Sequence, residues 1–142
     1  KLRNNIIDLN ITTDVIVGFP YESYSDFLDT IKAVEIAKFS KVHIFPYSDR
    51  SETLSFKMEG KVSEATKKQR VKELLEFSNK VSYNVRNSYI GKEVSVLLEG
   101  KGMGFSRNYL RVILNENESL KYSTGNIVST NIKSVDEKFL YG

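Results

Sequence analysis

Two apolar runs, each ended by a proline, limit the folds open to the first half of this 142-residue chain. Ile11–Phe19 is nearly continuously apolar after Asp14 and is followed by Pro20, while Val42–Phe45 is followed by Pro46. Apolar runs of this length predict strands that are buried on both faces. A proline closes each strand because it has no N–H to donate to a ladder. We therefore predict two short buried strands.

The segment between these runs predicts a helix. Ser23 and Asp26 have the spacing of a helix-capping pair. The apolar residues that follow share one helical face: Phe27, Ile31, Val34 and Ala37. A strand, a helix and a second strand of these lengths form a βαβ unit, so the two strands should be parallel neighbours.

The sequence changes near residue 88 from a helical pattern to a β-rich one. Residues 48–62 are polar and predict a loop, after which Ser63 can cap a long helix that ends at about residues 84–87. From Ile90 onward, glycines separate short β-rich runs at residues 94–98, 109–114 and 126–132. Short strands with glycine turns favour a small barrel or sandwich. The predicted fold class is therefore α/β followed by all-β.

Composition excludes several classes of site. The chain has no cysteine, so it can form no disulfide and supplies no thiolate ligand or cysteine nucleophile. No apolar run approaches the roughly 20 residues of a membrane span, and no signal peptide is visible, so we expect a cytoplasmic protein without a membrane partner. Residues 80–142 hold 9 Lys/Arg against 6 Asp/Glu and so carry the whole net charge of +3. This excess fits a nucleic-acid surface and equally fits an ordinary solvated face.

Longer segments resemble a known enzyme family. Thr13–Glu22 (TDVIVGFPYE) is similar to the T-D-x-I-V-G-F-P-G-E segment of radical S-adenosylmethionine methylthiotransferases, and Asp26-Phe27 follows at the family's spacing. His43–Arg50 (HIFPYSDR) resembles the family's H-x-F-P-Y-S-x-R segment, most closely that of the threonylcarbamoyladenosine branch. Further matches in the same order are Thr53, Met58, Lys67, Lys68 and Arg70, then Gly91-Lys92, Asn108–Val112 and Gly125 of an appended TRAM domain, a small RNA-binding β-barrel.

The resemblance implies a domain organisation and a function. Residues 1–88 would be the C-terminal part of a radical S-adenosylmethionine (β/α) barrel with parallel strands, and residues 89–142 a TRAM-like, OB-like antiparallel β-barrel. The parent transferase would methylthiolate N6-threonylcarbamoyladenosine at position 37 of tRNA. It would use S-adenosylmethionine and two 4Fe-4S iron–sulfur clusters, which are ligated outside this chain. Without the cluster cysteines this portion alone should be inactive, and its partners would be the tRNA anticodon loop and the N-terminal part of the same protein.

The resemblance also assigns candidate site residues. No catalytic residue or metal ligand is expected in this portion, and the lone His43 is interpreted as structural. Cofactor-binding candidates are Asp14, Val17, Gly18, Phe19, Pro20, Glu22, Phe45, Tyr47 and Arg50. RNA-binding candidates are Lys92, Lys101, Arg107, Asn108, Tyr109 and Arg111, of which the cations suit phosphates and Tyr109 suits stacking. The alternative for each set is an ordinary strand end with core aromatics, and a solvated barrel face.

The sequence departs from the family pattern at two glycines. Tyr21 follows Pro20 where the family has glycine, and Glu52 stands in place of the glycine before Thr53. Glycine commonly marks a positive φ or a close backbone approach, so these loops could differ in geometry. The departures favour an alternative function, a non-catalytic RNA-binding module from a truncated or degenerate family member. A plain α/β interaction module is a third hypothesis.

We also expect residues 1–88 alone to expose apolar edges and to associate.

Overall fold

The computed structural model describes residues 2–142, which divide into two compact units. The first, termed the βα unit, is Ile11–Val81; the second, termed the β unit, combines residues 2–10 with Ser82–Gly142. The helices are α1 (Leu2–Asn5), α2 (Tyr24–Ala37), α3 (Glu64–Asn87) and α4 (Glu116–Ser119), with a 3-10 turn at Leu54–Lys57. The strands are β1 (Thr12–Val17), β2 (Lys41–Pro46), β3 (Glu93–Gly100), β4 (Met103–Ser106), β5 (Arg111–Ile113), β6 (Ile127–Asn131), β7 (Ser134–Val135) and β8 (Leu140–Tyr141). In the part of the chain that the structure describes, no helix has the length and apolar character of a membrane span.

The βα unit confirms the predicted strand–helix–strand order. Strands β1 and β2 are parallel and adjacent, with Val17 opposite Pro46 at the end of the pair. Helix α2 begins with a capping box, in which the Asp26 N–H donates to Ser23 Oγ (3.2 Å) and the Ser23 N–H donates to the Asp26 carboxylate (2.8 Å). Two of the orphan N–H groups at the helix start are thereby satisfied by two side chains three residues apart.

One face of this two-stranded sheet is covered by helices, and the other is open. The buried core joins β1 and β2 to α2 and α3 through Val17, Val42, Phe27, Val34 and Leu74. On the opposite face Ile16 and Phe45 are 57% and 50% exposed. The prediction that both strands are buried on both faces is wrong for this chain, because two helices cover only one side of a sheet. Apolar side chains are thus exposed on this face, while the association of residues 1–88 alone stays a prediction.

The β unit is built on a six-stranded sheet. Its strand order is β6-β3-β4-β5-β8-β7, with every pair antiparallel except β5 and β8. Alternate side chains form the core, which contains Tyr89, Val96, Leu98, Leu110, Val112, Leu114, Val128, Ile132 and Leu140. The sheet is compatible with the small barrel or sandwich that the glycine-separated runs predict.

Two of the three predicted β runs match strands closely, and the third is shorter than predicted. Strands β3 and β6 cover residues 94–98 and most of 126–132, whereas β5 begins only at Arg111. Tyr109 has a left-handed backbone (φ 63°) and belongs to the turn between β4 and β5. Strand β4 was not predicted, because Gly102 and Gly104 are residues typical of a loop. Its Gly104 lies against the backbone of Leu97, where a Cβ would collide with the Leu97 carbonyl.

Candidate functional site

The carboxyl ends of β1 and β2 lie side by side. The Tyr47 N–H donates to the Val17 carbonyl (2.8 Å), and the rings of Phe19 and Tyr47 meet edge to face with centroids 5.2 Å apart. Ligands of parallel α/β sheets bind at this edge. Seven of the nine cofactor-binding candidates are gathered there: Val17, Gly18, Phe19, Pro20, Glu22, Phe45 and Tyr47.

The other two candidates lie away from this edge. Asp14 is in the middle of β1, opposite His43 in the register of the pair. Both side chains are exposed on the helix-free face, together with Ile16 and Phe45. Arg50 is exposed and follows β2 in the loop, where its carbonyl accepts hydrogen bonds from Thr53.

Glu22 anchors the turn that follows β1. Its Oε2 accepts a hydrogen bond from the Gly18 N–H (2.6 Å) and forms an ion pair with the Arg70 guanidinium. The two side chains are only 11% and 8% exposed, and Arg70 also donates to the Glu22 carbonyl (3.1 Å). Gly18 has φ +76°, and a Cβ there would collide with Lys67. The carboxylate therefore connects a glycine turn to α3, and this contact is intramolecular.

Two ammonium groups lie near the ring of Tyr47. Lys61 Nζ and Lys67 Nζ are 5.4 Å and 5.3 Å from the centre of its ring, and the Lys67 side chain is 6% exposed. The Tyr47 hydroxyl donates to Asp49 Oδ1 (3.0 Å), which also binds the Lys61 ammonium. That hydrogen bond from Lys61 lowers the pKa of Asp49, and the same contact raises the pKa of Lys61. Lys67 is likewise ion-paired, with Glu64 Oε1 at 2.8 Å. The charges at this edge are therefore fixed in position and balanced within the chain.

Sequence reasoning did not assign these charged residues to the site. Lys67 and Arg70 stood out only as part of the K-x-x-R resemblance at the start of α3, and Asp49 and Lys61 carried no signal. Their contacts join positions up to 48 residues apart, such as Glu22 and Arg70. Spacing along one element cannot reveal such pairs.

The RNA-binding candidates lie on the β unit in three places. Arg107, Asn108, Tyr109 and Arg111 surround the β4–β5 turn, and Lys101 occupies the turn at the other end of β4. Lys92 Nζ lies 4.8 Å from the centre of the Tyr89 ring.

Asn108 makes its contacts inside the β unit. Its Nδ2 donates to the Tyr89 hydroxyl (2.7 Å) and the Asp8 carbonyl (2.9 Å), and its Oδ1 accepts from Ser106 Oγ (2.6 Å). Asn10 Nδ2 in turn donates to the Asn108 carbonyl (2.8 Å). Since both Nδ2 hydrogens have protein partners, the amide of Asn108 holds the β4–β5 turn in place.

Aromatic and cationic groups are exposed next to this turn. Tyr109 is 81% exposed, and its ring is tilted against Phe105 at 6.2 Å between centroids. The Arg111 guanidinium lies 5.6 Å from the centre of the same Phe105 ring. Phe105 was not predicted as a site residue, and its alternation with buried Gly104 and Ser106 on β4 is the signal that would have placed it on the outer face.

Comparison with known proteins gives close relatives. No protein-family profile matches the chain. It is 44% identical over 100 residues to a tRNA-2-methylthio-N(6)-dimethylallyladenosine synthase of Acetivibrio thermocellus, covering 70% of this chain and 21% of the relative. It is 41% identical over 143 residues to the threonylcarbamoyladenosine tRNA methylthiotransferase MtaB of Thermotoga maritima, covering 97% and 32%. A tRNA-2-methylthio-N(6)-dimethylallyladenosine synthase of Endomicrobium trichonymphae is 35% identical over 146 residues, covering 100% and 34%.

The chain thus spans about a fifth to a third of the length of these curated relatives. This share fits a C-terminal portion of such an enzyme, as the order of the motifs predicts. Matches along the whole chain at this level of identity show common descent, and the chain belongs to the tRNA methylthiotransferase family.

Proposed function

We propose that this chain is the C-terminal portion of an enzyme that methylthiolates N6-threonylcarbamoyladenosine at position 37 of tRNA. The observation that carries the proposal is the 41% identity to the threonylcarbamoyladenosine tRNA methylthiotransferase of Thermotoga maritima over 97% of the chain. The parallel β1–β2 pair, with helices on one face only, supports a place in the wall of a (β/α) barrel.

In this proposal the helix-free face of the βα unit binds S-adenosylmethionine. The face fits the adenosine group, since Ile16, Phe19 and Phe45 offer exposed apolar surface and Asp14 offers a carboxylate acceptor for ribose hydroxyls. Glu22 holds the Gly18 turn in position, and the ion-paired lysines beside Tyr47 fix the same edge. When bound, S-adenosylmethionine supplies the radical and the methyl group. This chain has no cysteine and supplies no thiolate to the two iron–sulfur clusters of the parent enzyme.

The β unit is proposed to bind the anticodon loop as a TRAM-like domain. Lys92, Lys101, Arg107 and Arg111 are exposed cations that suit phosphates, and Tyr109 exposes a ring on which an unpaired base can stack. The excess of positive charge in residues 80–142 supports this assignment.

The test is the modified-nucleoside content of tRNA from cells that lack the gene and from complemented cells. We expect deletion to abolish 2-methylthio-N6-threonylcarbamoyladenosine and the full-length gene to restore it, as measured by nucleoside mass spectrometry. If deletion leaves the amount of every methylthiolated adenosine unchanged, the enzyme proposal is wrong and the alternative, a non-catalytic RNA-binding module, replaces it.

A second substrate is favoured by a specific observation. The relatives from Acetivibrio thermocellus and Endomicrobium trichonymphae are tRNA-2-methylthio-N(6)-dimethylallyladenosine synthases at 44% and 35% identity. The same measurement separates the candidates, since loss of the methylthiolated dimethylallyl nucleoside alone would assign this substrate and exclude the threonylcarbamoyl one.

A further inference from the structure

We propose that a cleft in the β unit accepts one unpaired nucleobase of the bound RNA. This inference rests on the proposed RNA-binding function and adds a specific subsite to it. The cleft has a volume of about 710 Å³ and lies between residues 5–10, the start of β3 and the β4–β5 turn. Its volume falls in the range of ordinary small-ligand sites. Three RNA-binding candidates line it, namely Arg107, Asn108 and Tyr109.

The wall of the cleft offers hydrogen-bonding groups suited to a base edge. The Tyr89 hydroxyl accepts from Asn108 Nδ2, which leaves its own proton free for donation, and burial raises the Tyr89 pKa so that the phenol stays protonated. Asn10 also lines the cleft, and its Nδ2 donates to the Asn108 carbonyl. Its Oδ1 is fully buried without a partner among the described residues and does not face the open cleft. Glu93 adds a carboxylate acceptor. A base edge carries both donors and acceptors and matches this mixture.

The mouth of the cleft offers a stacking surface. Tyr109 is 81% exposed and has φ +63°, a left-handed conformation held by hydrogen bonds from the Tyr109 N–H to the Ser106 carbonyl and from the Leu110 N–H to Ser106 Oγ. The ring is therefore presented outward by its backbone. Arg107 beside it and Lys92 above Tyr89 provide positive charge for the phosphates that flank an inserted base. An aromatic rim, an interior that combines apolar and polar groups, and flanking cations together suit an RNA base, which has apolar faces and a polar edge.

The experiment uses the full-length protein that contains this chain and an anticodon stem-loop RNA. Each loop nucleotide is replaced in turn by an abasic one, and the affinity is measured at constant salt. We expect one abasic position to weaken wild-type binding about tenfold or more, because stacking and edge contacts to one base are lost together. Tyr109→Ala should weaken binding of the intact RNA and remove most of this abasic penalty.

One control and one further cleft variant separate the subsite from general effects. Tyr122→Ala changes an exposed tyrosine of the β unit that does not line the cleft, and it should keep the full abasic penalty. Glu93→Leu removes the carboxylate acceptor that lines the cleft and should reduce the penalty, while thermal melting shows whether the fold is kept. A 2-aminopurine at the sensitive position should fluoresce more strongly with Tyr109→Ala than with wild type.

Equal affinity for every abasic RNA in the wild type would overturn the base subsite. RNA binding in that experiment would still be intact, so the proposed function would stand. If instead the wild-type protein does not bind the stem-loop, or Lys101→Ala with Arg111→Ala leaves binding unchanged, the proposed RNA-binding surface itself fails.

Discussion

At the scale of single residues, the backbone at Tyr21 explains a departure from the family pattern. Tyr21 has φ 67°, the left-handed conformation that glycine adopts without strain, and its N–H donates to the Gly60 carbonyl (2.9 Å). The turn after β1 has therefore kept a glycine-type conformation with a tyrosine in it. Glu52, at the other departure, is not among the residues with positive φ, so its side chain is tolerated without backbone strain.

Tyr21→Gly should therefore stabilise the chain. A left-handed non-glycine residue costs about 1–2 kcal/mol, and the added freedom of glycine in the unfolded chain offsets about 0.4–1 kcal/mol of the gain. We expect the free energy of unfolding to rise by up to about 1 kcal/mol in urea titrations.

Glu52→Gly is the matched control, since it restores the other family glycine at a residue with ordinary φ. It should lower the free energy of unfolding slightly. Equal effects of the two substitutions would show that backbone strain at Tyr21 has no energetic consequence.

At the scale of secondary-structure elements, one ion pair joins the end of β1 to α3. Glu22 and Arg70 are almost fully buried, and the carboxylate also accepts from the Gly18 N–H. Removing one partner of a buried pair leaves a charge without compensation in a low-dielectric environment. The position of the proposed cofactor-binding turn therefore depends on this contact.

Arg70→Met should lower the free energy of unfolding by about 3 kcal/mol, the size typical of a broken buried pair. The double variant Glu22→Gln/Arg70→Met should be less destabilised than the sum of the two single variants, because no lone charge remains. Denaturant titrations of the four proteins measure this coupling.

The matched control is an exposed ion pair on the same helix. Lys72 and Glu76 are 4.0 Å apart with 80% and 65% exposed side chains, and such surface pairs contribute little. Lys72→Met should change stability by less than about 0.5 kcal/mol. If Arg70→Met lowers the free energy of unfolding as little as Lys72→Met does, the buried pair does not stabilise the turn.

At the scale of the whole molecule, the open face of the βα unit exposes apolar side chains from both of its strands. Ile16 and Phe45 lie opposite each other in the β1–β2 register and are about half exposed. Contiguous exposed apolar side chains favour association. In the proposed parent enzyme this face would line the cofactor site.

We therefore predict that the isolated 142-residue chain self-associates through this face. Ile16→Ser/Phe45→Ser should lower its apparent mass in light scattering at equal concentration. Ile36→Ser, which changes a single 79% exposed residue on α2, should have little effect. A wild-type chain that is monomeric at high concentration would contradict the prediction.

Much of the secondary structure was predictable because its causes are local. The capping pair of α2 lies three residues apart, and the apolar stripe of the same helix repeats at helical spacing within one segment. Strand β4 escaped prediction because Gly102 and Gly104 look like loop residues, although Gly104 is needed for the close approach to Leu97. The site could be located at the strand ends, but the intramolecular roles of Glu22 and Asn108 could not be foreseen.

The sequence by itself determined the two proline-ended strands, the capped helix between them and the membership of the family, since contiguous residues carry those signals. Only the tertiary structure decided which face of β1 is covered, what Glu22 binds and that Tyr109 and Asn10 line one cleft. Asn10 and Asn108 are 98 positions apart, and their hydrogen bond exists only once the chain has folded. Contacts at such separation depend on how whole elements pack, and that information is not contained in any single segment.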